Sequence, residues 1–445
     1  MSVLVDLRRY AEAARRAEMP VTEGRLVDVV GLVLEAEGCR ASIGDLYELQ
    51  PHGAADPVQA EVVGLHGGRA LLMPLGTTHG LEVGTPLRRL GQSAHAPVGA
   101  ALLGRVLDGL GRPIDGKGPL ELEGEWKLHG TPRNPLQRRP IDRPFCVGVR
   151  AVDGLLTLGR GQRIGIFAGG GVGKSSLLGM MVRRATADVA VVALIGERGR
   201  EVEDFVHRTL GEEGLQRAVV VAATSADPAL VRVRGALYAT AVAEYFRSKG
   251  LNVLLVMDSV TRFAMAMREV GLAVGEPPTT KGYTPTVFAS LPLLLERAGT
   301  GPGAGTITGV YTVLVEGDDL TDPIADTVRA TLDGHIVLSR RLAERGHFPA
   351  VDLPRSVSRV MPQVVPPPQL ALAQRARELL AAYAEVEDLV AIGAYKRGSV
   401  PRLDEALDHM PALEAFLKQT PEEAIDSTMV HQELARVWAE PEVTT

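Results

Sequence analysis

Residues 163–180 read RIGIFAGGGVGKSSLLGM. Ile164, Ile166 and Phe167 form a short apolar run, which predicts a buried strand. Gly169, Gly170, Gly171 and Gly173, with Val172 among them, predict a turn that needs the backbone freedom of glycine. Lys174, Ser175 and Ser176 then open a helix carried inward by Leu177, Leu178 and Met180. Strand, glycine loop and a helix starting at Lys-Ser are the parts of a P-loop. Its backbone N–H groups close around phosphate oxygens, and the helix N-terminus adds its positive end. Lys174 is then placed for the β- and γ-phosphates of ATP, and the Ser175 hydroxyl for Mg²⁺. One position departs from the strict pattern: Ala168 stands where the first glycine belongs.

Two more stretches extend this site. Residues 253–259 read VLLVMDS, an apolar strand ending in a carboxylate. That is where a second phosphate-site acid belongs, and Asp258 is expected to hold Mg²⁺ through water, opposite Ser175. Residues 196–201 read GERGRE and follow the apolar run Val189–Leu194. Parallel strands end facing the nucleotide, so Glu197 lies at the mouth of the site. Attack on a γ-phosphate needs a polarised, positioned water, and Glu197 is the expected base. Arg198 and Glu201 are candidates to assist at the phosphates and the metal waters; a charged surface turn would read the same way. Residues 356–361, SVSRVM, place Arg359 in a polar stretch where a surface role is the default.

The whole chain has 445 residues, 45% hydrophobic and 23% charged, as expected of a globular protein with two or three domains. A net charge of −6 argues against a nucleic-acid binder that relies on bulk charge. Cys39 and Cys146, far apart, suggest neither a disulfide framework nor a metal site and fit a reducing cytoplasm. No run reaches the length of a transmembrane helix, and the first residues lack the apolar core of a signal peptide.

The pattern divides the chain into four. Residues 1–24 read as a helical segment, with Leu4, Leu7 and Ala11 at helical spacing. It is either a solvated leading helix or a docking segment for a partner or an acidic membrane surface. In residues 25–95 the runs Leu26–Leu34, Ala60–Leu65 and Ala70–Leu75, separated by turn residues, predict a β-barrel of about six strands. Residues 96–365 alternate apolar strands with helices, an α/β core of doubly wound type. Within it, Leu103–Leu120 reads as a passage with tight reversals at Asp108-Gly109 and Asp115-Gly116. Thr131–Pro144 reads as an extended surface linker. Asp227 and Pro228 are expected to cap and start a helix. Residues 366–445 are rich in helix formers and predict a helical domain.

AGGGVGKSS, GERGREVEDF, LLVMDSVTRFAMAMRE, GEPPTTKGYTPTVFASLPLLLERAG, LVEGDDLTDPIADTVRATLDGHIVLSR and SVSRVM together resemble the ATPases of type III protein export, flagellar and injectisome. These are kin to the catalytic subunit of rotary ATP synthases. The resemblance runs from about Leu26 to Leu417. It implies a β-barrel, a RecA-like P-loop core and a C-terminal helical domain, assembled as a homohexamer. It implies that Arg359 is an arginine finger reaching the neighbouring subunit's nucleotide. It implies that Phe348, in HFPAVD, lies against the adenine, with Tyr395, in IGAYKRG, approaching from the helical domain; both would also serve as core aromatics. By the same resemblance the chain is cytoplasmic and peripheral to the inner membrane, beneath an export gate. A stator-like regulator would bind the N-terminal segment, a coiled-coil stalk would enter the pore, and chaperone–substrate complexes would meet the C-terminal face. The pairing of HFPAVD with EVEDLVAIGAY leans to the injectisome side.

Three rivals share the core. A rotary ATP synthase catalytic subunit has the same chemical groups, but the run Glu316–Arg340 and the loop AGGGVGKS, rather than GGAGVGKT, speak for export. A non-catalytic ring subunit commonly carries an amide at the position of Glu197. A hexameric RNA-translocating helicase needs a basic, aromatic-bearing barrel, whereas Arg25–Leu90 holds one aromatic of that kind, Tyr47. No nucleic-acid partner is expected.

Overall fold

The computed structural model describes residues 24–51, 56–92, 94–131, 134–315, 321–426 and 428–438. The expected leading helix, and the residues Glu316–Leu320 of the export-specific run, lie outside them. The chain divides into two compact units.

The first unit holds a closed barrel of six strands. They are β1 (Gly24–Val30), β2 (Val33–Glu37), β3 (Asp45–Leu49), β4 (Val58–His66), β5 (Arg69–Pro74) and β6 (Pro86–Gln92), closed in the order β1-β2-β5-β4-β3-β6. The apolar run Leu26–Leu34 proves to be a hairpin. Gly31 takes a φ of +59° between β1 and β2, a turn that glycine adopts without strain. Leu26, Leu34, Tyr47, Leu49 and Leu72 fill the interior.

The second unit is built on a nine-stranded sheet. Its main path uses β7 (Val106–Asp108), β8 (Arg163–Ala168), β9 (Val189–Ile195), β10 (Ala218–Ala223), β11 (Asn252–Asp258), β12 (Thr306–Leu314), β13 (Gly334–Leu338) and β14 (Val351–Ser358). The order is β14-β13-β8-β12-β11-β9-β10-β7, parallel except at the β13–β14 edge. Every residue of β9 and β10 is buried, as strands covered on both faces require. The covering helices include α1 (Arg150–Leu155), α2 (Lys174–Arg184), α3 (Ala229–Ser248) and α4 (Val260–Ala273). The helical tail contributes α5 (Pro367–Ala391) and α6 (Pro401–Leu417).

Two local expectations are revised. The passage after the barrel contains β7, an edge strand of the main sheet; three residues are too few for a periodic pattern to reveal. Asp115 braces it with a paired bond to Arg105 and a bond from the Val106 N–H. Asp227 does not cap α3, because Pro228 occupies the cap; its carboxylate accepts instead from the Thr224 N–H and hydroxyl, closing the preceding turn. The expected C-terminal helical domain packs within the same compact unit as the core. Leu413, Phe416, Val430 and Leu434 pack into one apolar cluster with Val152, Leu155 and Leu178. The linker lies along the core as expected, where Arg138 donates to the Glu296 and Ala298 carbonyls and Arg139 to that of Ala304.

Candidate active site

All the parallel strands end on one side, and the phosphate loop leaves the end of β8 there. Val172 is 1% exposed and pins the loop to the core beneath α2. Gly171 and Gly173 have φ of +77° and +87°, values that side chains resist. Gly169 is buried, whereas Gly170, Gly171, Ser175 and Ser176 are exposed around the rim. The loop therefore presents backbone and hydroxyls outward on an apolar anchor.

Three distant segments meet at Lys174. Its Nζ lies 2.5 Å from Asp258 Oδ1, at the end of β11, and 3.6 Å from Glu197 Oε1, beyond the end of β9. The side chains of Lys174, Glu197 and Asp258 are 13%, 15% and 5% exposed. In so dry a place charge–charge interactions are strong. The Glu197 turn is fixed by bonds from the Gly196 N–H to the Ala223 carbonyl and from the Ser225 N–H to the Glu197 carbonyl. Burial raises the pKa of Glu197, the Lys174 charge draws it back, and Asp258 and a hydrogen bond shared with Glu201 push it up, to about 7. That shared bond holds Glu201 below its ordinary value. Arg198 points outward, 83% exposed and 3.9 Å from Glu201. Glu197 Oε1 is buried without a hydrogen-bond partner. Such an orphan in a polar pocket is a place for a water or a substrate group.

Two members of this cluster escaped the sequence reading. Thr312, buried on β12, donates from Oγ1 to Asp258 Oδ1 at 2.6 Å and fixes that carboxylate. Arg262, on α4, lies so close to Gly196 that a Cβ there would stand 2.8 Å from Arg262 Cβ. With Gly170, Arg268 and Arg340 it lines a cavity of about 550 Å³. Spacing alone could not reveal either, since both reach the site only through the sheet order.

The remaining candidates are scattered. Phe348 is 43% exposed, and its ring lies 3.2 Å from where a Cβ of Gly173 would stand, so it borders the phosphate loop. The Tyr395 hydroxyl bonds the Val400 carbonyl and the carboxylate of Asp404, in the first turn of α6. The helical-tail residue that meets Phe348 is Gln419, whose N–H donates to the Phe348 carbonyl at 2.9 Å. Arg359 is exposed; its N–H bonds the Asp333 carbonyl and its guanidinium the Leu332 carbonyl, 3.2 Å away. Those residues precede β13, so Arg359 sits at the end of the sheet opposite to its own phosphate loop.

Comparison with known proteins follows the same division of the chain. Residues 148–358 match the ATP synthase alpha/beta family, nucleotide-binding domain, and residues 26–91 its beta-barrel domain. Residues 365–436 match the T3SS EscN ATPase C-terminal domain. The flagellum-specific ATP synthase of Pseudomonas aeruginosa is 53% identical over 416 residues, 93% of this chain and 92% of that protein. The type 3 secretion system ATPase of Xanthomonas euvesicatoria is 51% identical over 396 residues, 89% of each. The structure of the assembled ATPase EscN from the enteropathogenic E. coli type III secretion system superposes with a TM-score of 0.88 at 46% identity, covering 93% of this chain and 99% of that one. The same ATPase in complex with its central stalk EscO gives 0.86 at 46% identity, with the same coverage.

Proposed function

The chain belongs to the ATP synthase alpha/beta family, among the ATPases of flagellar and type III secretion export, and on that premise we propose how its residues hydrolyse ATP. The observation that carries the reading is the meeting of Lys174, Glu197 and Asp258 beside the phosphate loop. The loop N–H groups and Lys174 hold the β- and γ-phosphates. Ser175 and Asp258 offer a hydroxyl and a carboxylate, hard oxygen donors of the kind Mg²⁺ takes together with nucleotide oxygens. The ion, when bound, neutralises charge on the β- and γ-phosphates. Glu197 takes a proton from the water that attacks the γ-phosphorus, and the bond to the leaving ADP oxygen breaks. A carboxylate whose pKa is lifted to about 7 suits that duty near neutral pH.

The site is incomplete within one chain. Arg359 stands at the far end of a five-residue strand, on the order of 17 Å of backbone from the loop side. It is available to a neighbour and not to its own nucleotide. We therefore read it as the finger of a homohexameric ring, completing the adjacent subunit's pocket. Arg198 and Glu201 act beside Glu197, and Phe348 faces the base.

The export role follows from relatives on both the flagellar and the secretion side, 53% and 51% identical, which gives no support to an injectisome lean. Hydrolysis in the ring is coupled to chaperone release, unfolding and export of protein substrates. A stalk protein is the partner with most support, because the EscN structure includes one in complex with EscO. A regulator at residues 1–24, an export gate and chaperone–substrate complexes complete the set. By kinship with the export ATPases we place the protein in the cytoplasm, peripheral to the inner membrane. No helix among the described residues is long and apolar enough to cross a membrane. Phosphate release from ATP by the purified chain, with Mg²⁺ and with a chelator, tests the reading. Release that needs Mg²⁺ and rises with protein concentration is expected; none with Mg²⁺ would overturn it.

A further inference from the structure

The helical tail takes hold of the Phe348 loop at one buried residue. Gln419 is 4% exposed and follows the end of α6. Its backbone N–H donates to the Phe348 carbonyl at 2.9 Å. Its side chain is fixed at both polar ends. Oε1 accepts from the Arg150 N–H at 3.0 Å, and Nε2 donates to the carbonyls of Gly148 and Glu423 at 3.0 and 3.2 Å. Arg150 closes the same knot. Its guanidinium donates to the Phe416 and Lys418 carbonyls at 2.8 and 2.6 Å and meets the Glu423 carboxylate. A cation over the last carbonyls of a helix is favoured by the helix dipole as well as by the bonds themselves. Phe348, at the other end of this chain of contacts, keeps an open ring against the phosphate loop.

We infer that Gln419 is a positioning residue for nucleotide binding. It sets the place of the Phe348 ring beside Gly173 and does not itself touch the nucleotide. This rests on the reading of Phe348 as the residue that faces the base. A buried side chain with three hydrogen bonds has no freedom to drift, so the backbone it carries holds Phe348 in a preorganised place. Truncation leaves the Arg150 N–H and two carbonyls unpaired and releases the loop. The base is remote from the phosphorus, so ground state and transition state are weakened alike. The loss falls on KM and spares kcat.

The test is steady-state ATP hydrolysis by the full chain carrying Gln419→Ala, Phe348→Ala, or both. Phe348→Ala is expected to raise the KM for ATP about tenfold, in the range of one base stacked on an aromatic ring. Gln419→Ala should raise it about threefold to tenfold with kcat within about twofold of wild type. The double variant should be no weaker than Phe348→Ala, because Gln419 acts through that ring. Effects that multiply, or a Gln419→Ala defect in kcat at unchanged KM, would overturn the inference. Phe348→Ala impaired beside a normal Gln419→Ala overturns it alone. A normal Phe348→Ala overturns the base-facing reading and the inference with it. If Gln419→Ala does not fold, Gln419→Met keeps the packed volume without the polar ends, and the same outcomes decide.

Discussion

Glu197→Gln separates proton transfer from shape. The amide keeps the size of the side chain and its reach toward Lys174, but it cannot accept a proton from water. Loss of a positioned general base costs about 10²–10⁴-fold in kcat. ATP binding should persist, since Lys174 and the loop N–H groups remain. The structure also fixes what stability should do. A carboxyl raised from 4.5 to about 7 opposes ionisation in the folded state by on the order of 3 kcal/mol. The acid is raised, so folding is favoured below about pH 4.5, and that advantage is lost as pH climbs through about 7. Glu201, drawn down by the bond it shares with Glu197, offsets part of it. Glutamine does not titrate. The variant should therefore gain stability relative to wild type as pH rises from about 4.5 to 7, then hold level. Urea midpoints across that range measure this, and initial rates of phosphate release measure kcat. Wild-type kcat/KM should rise with pH through about 7, where Glu197 ionises. A variant that keeps turnover within about tenfold of wild type would refute the role of Glu197. A stability difference that is flat with pH would refute its buried, charge-crowded setting.

Other perturbations probe neighbouring parts. Lys174→Ala should abolish hydrolysis and weaken nucleotide binding, since it removes the cation facing the phosphates and leaves Asp258 and Glu197 buried together; near-normal turnover would refute the phosphate-loop assignment. Arg359→Ala should leave nucleotide binding largely intact, measured by titration with a fluorescent analogue. It should also remove the rise of specific activity with protein concentration. Gly173→Ala forces a side chain to φ +87° beside the Phe348 ring, costing on the order of 1–2 kcal/mol in thermal unfolding and raising the KM for ATP.

The parts of this site that the sequence makes legible are those whose chemistry is local. Residues 163–180 carry strand, glycine turn, lysine and helix within eighteen positions, and Asp258 stands at the end of an unbroken apolar run. The barrel is legible from its spaced apolar runs, and the α/β core from strands buried on both faces. What stays hidden depends on the order of strands. Thr312 reaches Asp258 because β12 lies beside β11, and Arg262 reaches the Glu197 turn because α4 follows the Asp258 strand back across it. β7 is too short to show a period. Gln419 shows the same limit from the other side. An aromatic at 395 attracts attention in the sequence, yet the contact with Phe348 is made by a backbone N–H, which no residue type announces.

The proposed pocket is assembled from two chains: Lys174, Glu197 and Asp258 from one protomer, and Arg359 from the next. Mixing two inactive variants tests this most directly. Glu197→Gln lacks the base but keeps a sound finger; Arg359→Ala lacks the finger but keeps a sound base. In a mixed ring, roughly a quarter of the interfaces join a sound base to a sound finger. Phosphate release by the mixture should then exceed the sum of the two variants measured separately, and rise with time of subunit exchange. A mixture no more active than that sum, in rings shown to contain both variants, would contradict the shared pocket.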